Sequence, residues 1–116
     1  MATYYKVKLS GSTKGAPIEV TATGTTGANT IHTCDTSTGA NEWDEIYLFA
    51  HSNDTSDILT IEYGDTDTLM KQNLDYNEGM VPILPGTLGN NSLSVKAYKG
   101  STGSKVYITG WVNQVR

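Results

Sequence analysis

The sequence predicts an all-β protein, a single-domain antiparallel β-sandwich or jelly-roll-like barrel of about eight strands. Three observations carry this. Thr, Val, Ile and Tyr dominate segments that alternate with a period of two. Gly, Asn, Asp and Ser cluster between those segments, the punctuation of tight turns. No segment shows convincing helical periodicity, and no repeat of solenoid or propeller length is present. The length of 116 residues suits one domain spanning 1–116, with a radius of gyration of about 13 Å.

Tyr5, Val7 and Leu9 alternate with Tyr4, Lys6 and Lys8 in a first strand over Tyr4–Leu9, one face of which is wet. Ile18, Val20 and Ala22 form a second after a turn at Gly11–Gly15, and a third short strand lies around Thr30–Cys34. Trp43–His51 is the most regular run: Ile46, Leu48 and Ala50 share one face, Tyr47, Phe49 and His51 the other. A strand apolar on both faces belongs at the centre of a sheet, or packs its second face against another chain. Ile58–Tyr63 pairs with it as a hairpin, and a less regular strand covers Thr68–Leu74. Pro82 and Pro85 remove ladder donors from Met80–Gly86 and predict an edge strand or extended loop. Leu93–Tyr98 and Val106–Asn113 complete the set.

Composition narrows the function. A net charge of −4 and pI near 4.9 lack the basic surplus of a nucleic-acid binder. No apolar run approaches bilayer length, and the opening Met1–Lys6 lacks an export signal, so neither a membrane nor nucleic acid is expected as a partner. Cys34 is the single cysteine, which excludes an intrachain disulfide and suits synthesis in a reducing cytoplasm. Sequons at Asn53-Asp54-Thr55 and Asn90-Asn91-Ser92 are of the kind a chain rich in Asn, Ser and Thr produces by chance.

Cys34 with His32 two residues earlier is the best nucleophile candidate, and His51 could add a metal ligand. No family signature or ligand spacing supports either use, so a buried thiol and ordinary strand histidines are preferred. The carboxylates Asp44-Glu45, Asp54/Asp57 and Glu62/Asp65/Asp67 read as solvated loop groups, and Asp65-Thr66-Asp67 lacks the frame of a calcium loop. Nucleotide-binding, serine-hydrolase and zinc-protease motifs are absent. No catalytic residue and no cofactor is assigned. Trp43, Tyr47, Phe49, Tyr63, Tyr98, Tyr107 and Trp111 could make a sugar-stacking platform or a protein interface, with about half expected in the core.

Glu42-Trp43-Asp44-Glu45-Ile46-Tyr47-Leu48-Phe49-Ala50, then Leu59-Thr60-Ile61-Glu62-Tyr63-Gly64, resemble a group of small tailed-bacteriophage structural virion proteins. Val81-Pro82-Ile83-Leu84-Pro85-Gly86, the run Leu88 to Tyr98, and the run Val106 to Asn113 extend the resemblance in order and spacing. It implies a capsid decoration or cement protein on the outer surface of the virion head, made in the host bacterial cytoplasm. Its partners would be the major capsid protein and itself, as a homotrimer. Residues 1–30 lie outside the resemblance and are expected to serve assembly or capsid contact. Tyr47, Phe49, Trp111 and Trp43 are the expected interface residues, with burial in the core as the competing expectation. A carbohydrate-binding tail or neck module is the alternative.

Overall fold

The computed structural model describes residues 3–53 and 55–116. Met1, Ala2 and Asp54, the last being the middle residue of the first sequon and one half of the Asp54/Asp57 pair, lie outside the described residues. Among the described residues nine strands form two sheets. They are β1 (Tyr4–Lys8), β2 (Ile18–Val20), β3 (Asn29–Thr33), β4 (Trp43–Ser52), β5 (Asp57–Tyr63), β6 (Leu69–Leu74), β7 (Val81–Gly89), β8 (Ser94–Lys99) and β9 (Val106–Val115). The first sheet runs β1-β9-β4-β7, with β2 also on β9; the second runs β3-β8-β5-β6.

Four antiparallel pairs are nested, β2 with β9, β3 with β8, β4 with β7 and β5 with β6. This is one long hairpin rolled up, the connectivity of a jelly roll. The β4–β9 and β5–β8 pairings knit the roll into two sheets, so β5 crosses to the second sheet and does not form the expected hairpin with β4. β1 and β2 lie along the same edge of β9, β1 opposite Trp111–Val115 and β2 opposite Val106–Ile108. Between them the chain leaves to cover the edge of β3: Gly11 N–H donates to the Ile31 carbonyl, and Thr33 N–H to Ser10 Oγ. The loop at 11–16, within the 1–30 stretch expected to serve assembly or capsid contact, is thus tied to β3 where it begins.

The core between the sheets is aliphatic. Ile46, Leu48, Ala50, Val106, Ile108 and Val112 from the first sheet meet Ile31, Leu59, Ile61, Val95 and Ala97 from the second. Burying each large aliphatic side chain contributes about 1.5–3 kcal/mol. Contrary to the expectation for half the aromatics, none of the described ones is in this buried core; Tyr63 only packs against its edge. Aliphatic side chains fill the gap between the sheets, while Tyr47, Phe49 and Trp111 lie on the outer face of the first sheet. The radius of gyration, 14.0 Å, exceeds the expectation for a sphere-like domain because the molecule measures 46 × 26 × 21 Å.

β7 is the edge that its prolines predict, and longer than expected. Two register shifts against β4 leave Gly86 and Ile83 as extra residues. Gly86 has φ +99, and a Cβ there would lie 2.9 Å from the Tyr47 ring, which covers the bulge. At Gly110 the constraint is tighter, since a Cβ would fall 1.9 Å from the Tyr47 carbonyl oxygen. Gly110→Ala therefore forces β9 away from β4 and should lower stability by more than about 2 kcal/mol in urea denaturation. Gly103→Ala, whose Cβ meets nothing within 4 Å, should change it little.

Candidate functional site

The outer face of the first sheet follows from the pleat of β4. Asp44, Ile46, Leu48, Ala50 and Ser52 are buried, so Trp43, Glu45, Tyr47, Phe49 and His51 point the other way. β9 alternates in register, placing Tyr107, Thr109, Trp111, Asn113 and Val115 beside them. From β7 come Pro82, Pro85 and Leu88, opposite Phe49, Tyr47 and Glu45. Tyr47, Phe49, Trp111 and Trp43 are therefore all on one face, outside the core. Tyr47 stacks on Trp111 at a centroid distance of 4.9 Å, and Phe49 at 5.7 Å. Lys6 Nζ sits 4.8 Å from the Trp111 ring.

Among these ten outward positions of β4 and β9, Glu45 is the one Asp, Glu, Lys or Arg, and His51 stands at the far end of the face. The basic residues Lys6, Lys8 and Arg116 lie toward the β1 side. A charge-poor aromatic centre with a charged rim is the composition of a protein interface core. Leu88 and Tyr4 are exposed at one end, Met80 at the other. Beside Met80, His51, Tyr107, Thr109 and Pro17 line a hollow of about 380 Å³.

A second cluster lies at one end of the sandwich interior. A register shift in β3 between Thr30 and His32 turns both Ile31 and His32 inward. His32, Cys34 and Asp44 bring potential ligand atoms within 4.8 Å of one another, the one such group among the described residues. His51 takes no part, being seven residues along β4, about 23 Å away, and on the other face. Ser10 N–H donates to His32 Nδ1 at 3.0 Å, so that nitrogen is the acceptor and the proton sits on Nε2. Nε2–H then donates to Asp44 Oδ2 at 2.8 Å. Both nitrogens are engaged, leaving no lone pair for a metal or for the Cys34 proton. Burial, followed by the Asp44 charge, pushes the Cys34 thiol up to about 11, away from a thiolate nucleophile.

Asp44, expected as a solvated loop carboxylate, is 1% exposed. Its Oδ1 accepts from Arg116 Nη2 at 2.9 Å, and Oδ2 also accepts from Asp35 N–H at 3.3 Å. Burial pushes its carboxyl upward, but the bonds from His32, Arg116 and Asp35 N–H outweigh this and hold it below 3.8. Arg116 Nη2 also reaches Asp35 Oδ2 at 2.9 Å, while Nη1 donates to the Trp43 and Val115 carbonyls. Glu62, on β5, is likewise buried. Asp57 accepts from Ile58, Gly100 and Ser101 N–H and from Ser104 Oγ, pinning the β8–β9 loop. Asp65 Oδ1 accepts from Asp67 and Thr68 N–H, closing a local turn. In the second sequon, Asn90 Nδ2 donates to the Glu42 carbonyl.

Sequence reasoning missed Arg116 and Asp35 altogether. Asp44 and Arg116 are 72 positions apart and carry no motif. No family model, curated protein sequence or solved structure matches this chain.

Asp44→Ala leaves His32 and Arg116 without their buried acceptor and should cost about 3–5 kcal/mol near neutrality. The depressed carboxyl contributes stability that is complete above 3.8 and lost as pH falls through its lower folded-state value. Denaturation midpoints across the acid range should fall less steeply for the variant than for the parent.

Proposed function

We propose that this chain is a structural protein of a tailed-bacteriophage virion, a capsid decoration or cement protein that cross-bridges capsomers through non-covalent contacts. The observation that carries a binding role is the outward, charge-poor aromatic face of the first sheet, centred on Tyr47, Phe49 and Trp111. The phage assignment rests on the sequence resemblance, whose runs coincide with β4, β5, β7, β8 and β9 and the turns beside them.

In this reading the aromatic face joins sister subunits into a homotrimer on the outer head surface. Several modest contacts to the major capsid protein then raise one another's effective concentration. Nothing in the mechanism calls for turnover or a cofactor. An acidic chain with its basic groups dispersed suits contact with protein rather than nucleic acid or membrane. Synthesis in the bacterial cytoplasm would precede addition to the head.

Phe49 touches Trp111 and no core residue is displaced by changing it, so Phe49→Asp should leave the fold intact. Sedimentation velocity should show the parent as a trimer and the variant as a monomer, with binding to capsid shells lost. A folded Phe49→Asp protein that remains trimeric contradicts the interface. Copy number on purified particles tests the location: a number scaling with head area supports decoration, and a single ring's worth points to neck or tail.

A further inference from the structure

A cleft of about 680 Å³ opens at the Trp43 end of the first sheet, bordered by Tyr4, the loop at 39–42, Glu45 and Arg116. We infer that it is a binding site for neutral oligosaccharides, with Trp43 as stacking platform and Glu42 and Glu45 as hydroxyl acceptors.

The volume falls within the range of small-ligand sites. Trp43 and Tyr4 supply two aromatic surfaces, and Tyr4 is 68% exposed. The flat apolar face of a pyranose suits an indole, whose polar edge is already satisfied here: Nε1–H donates to the Ala40 carbonyl at 3.0 Å. The walls are held in place before any ligand arrives. Arg116 Nη1 grips the Trp43 carbonyl from the buried Asp44 cluster, and Asn90 Nδ2 grips that of Glu42. Glu42 N–H donates to Gly39, and the Glu42 side chain lies so close over Gly39 that a Cβ there would be 2.5 Å from Oε1. Such preorganisation lowers the ordering cost of binding.

Charge selects the ligand class. Asp35 and Asp44 neutralise Arg116, so Glu42 and Glu45 leave the cleft net acidic. Phosphates, nucleotides and sialylated or uronic sugars are repelled. A purely apolar ligand would strip water from two carboxylates without replacing its hydrogen bonds. Vicinal hydroxyls replace them with charge-assisted bonds. A compact organic cation prefers an enclosed aromatic cage, whereas this cleft is open with a polar rim. Trp43, expected at the interface, is thereby assigned to the cleft instead; four residues of strand, about 13 Å, separate it from Tyr47.

The test applies the full chain to an array of neutral hexose and N-acetylhexosamine oligomers, sialylated glycans and basic peptides. Each positive neutral glycan is then titrated by intrinsic fluorescence. Neutral glycans alone should bind. Trp43→Ala should weaken the best one by about tenfold or more, equivalent to 1.4 kcal/mol, and Trp43→Phe should restore part of the loss. Glu45→Gln, an outward substitution that leaves the core untouched, should weaken it several-fold. Absence of any neutral-glycan signal, binding of sialylated glycans or basic peptides instead, or affinity indifferent to both Trp43→Ala and Glu45→Gln overturns the assignment. Phe49→Asp should bind sugar like the parent, so failure of the trimer interface and failure of the sugar site remain distinguishable.

Discussion

A ten-residue strand with apolar chemistry on both faces has few places to go. β4 resolves this by running through the middle of the first sheet, hydrogen-bonded to β9 on one side and β7 on the other. Its even-numbered residues from Asp44 to Ser52 then face inward and its odd-numbered ones outward, because the pleat allows nothing else. A slip of one residue would move Ile46 and Leu48 out of the core and Tyr47 and Phe49 into a space packed by branched aliphatics. Core and aromatic face are therefore set by the same register. Gly110 keeps it close on the β9 side, and the Gly86 bulge under the Tyr47 ring accommodates it on the β7 side.

The inward residue at the start of β4 is a carboxylate, which makes that end of the sandwich different from the other. Asp44 would be costly to bury alone. His32, turned inward by the irregularity in β3, and Arg116, just past β9, satisfy it together with the Asp35 amide. The network joins elements from both sheets, and through Arg116 it fixes the backbone carbonyls beneath Trp43 and at Val115. What looks in sequence like a Cys-His pair of chemical interest is thus a structural anchor. Its tautomer and its protonated thiol both point away from nucleophilic chemistry.

The strands were legible because period-two alternation and Gly/Asn/Asp punctuation are local properties, and Pro82 and Pro85 identify an edge by removing donors. Which face of β4 turns inward was not legible. Both are apolar, and it is the register of β4 in the folded sheet that places Ile46 and Leu48, rather than Tyr47 and Phe49, in the core. Strand order was hidden for a related reason. Ile18 pairs with Ile108 and Tyr4 with Val115, separations at which no local signal survives. Asp44 was misread as a solvated loop group because its burial depends on Arg116, 72 positions away. The outward position of Trp43, Tyr47, Phe49 and Trp111 is visible only in the folded sheet.

The proposed trimer requires that outward face to be covered when chains associate. Hydroxyl-radical footprinting read by mass spectrometry, on the dilute chain and on the chain at assembling concentration, measures this side chain by side chain. Tyr76, half-exposed in the turn between β6 and β7, serves as the reference. If the proposed trimer forms, Tyr47, Phe49 and Trp111 lose reactivity in the concentrated sample while Tyr76 keeps its own; unchanged reactivity of all four between the two samples would contradict it.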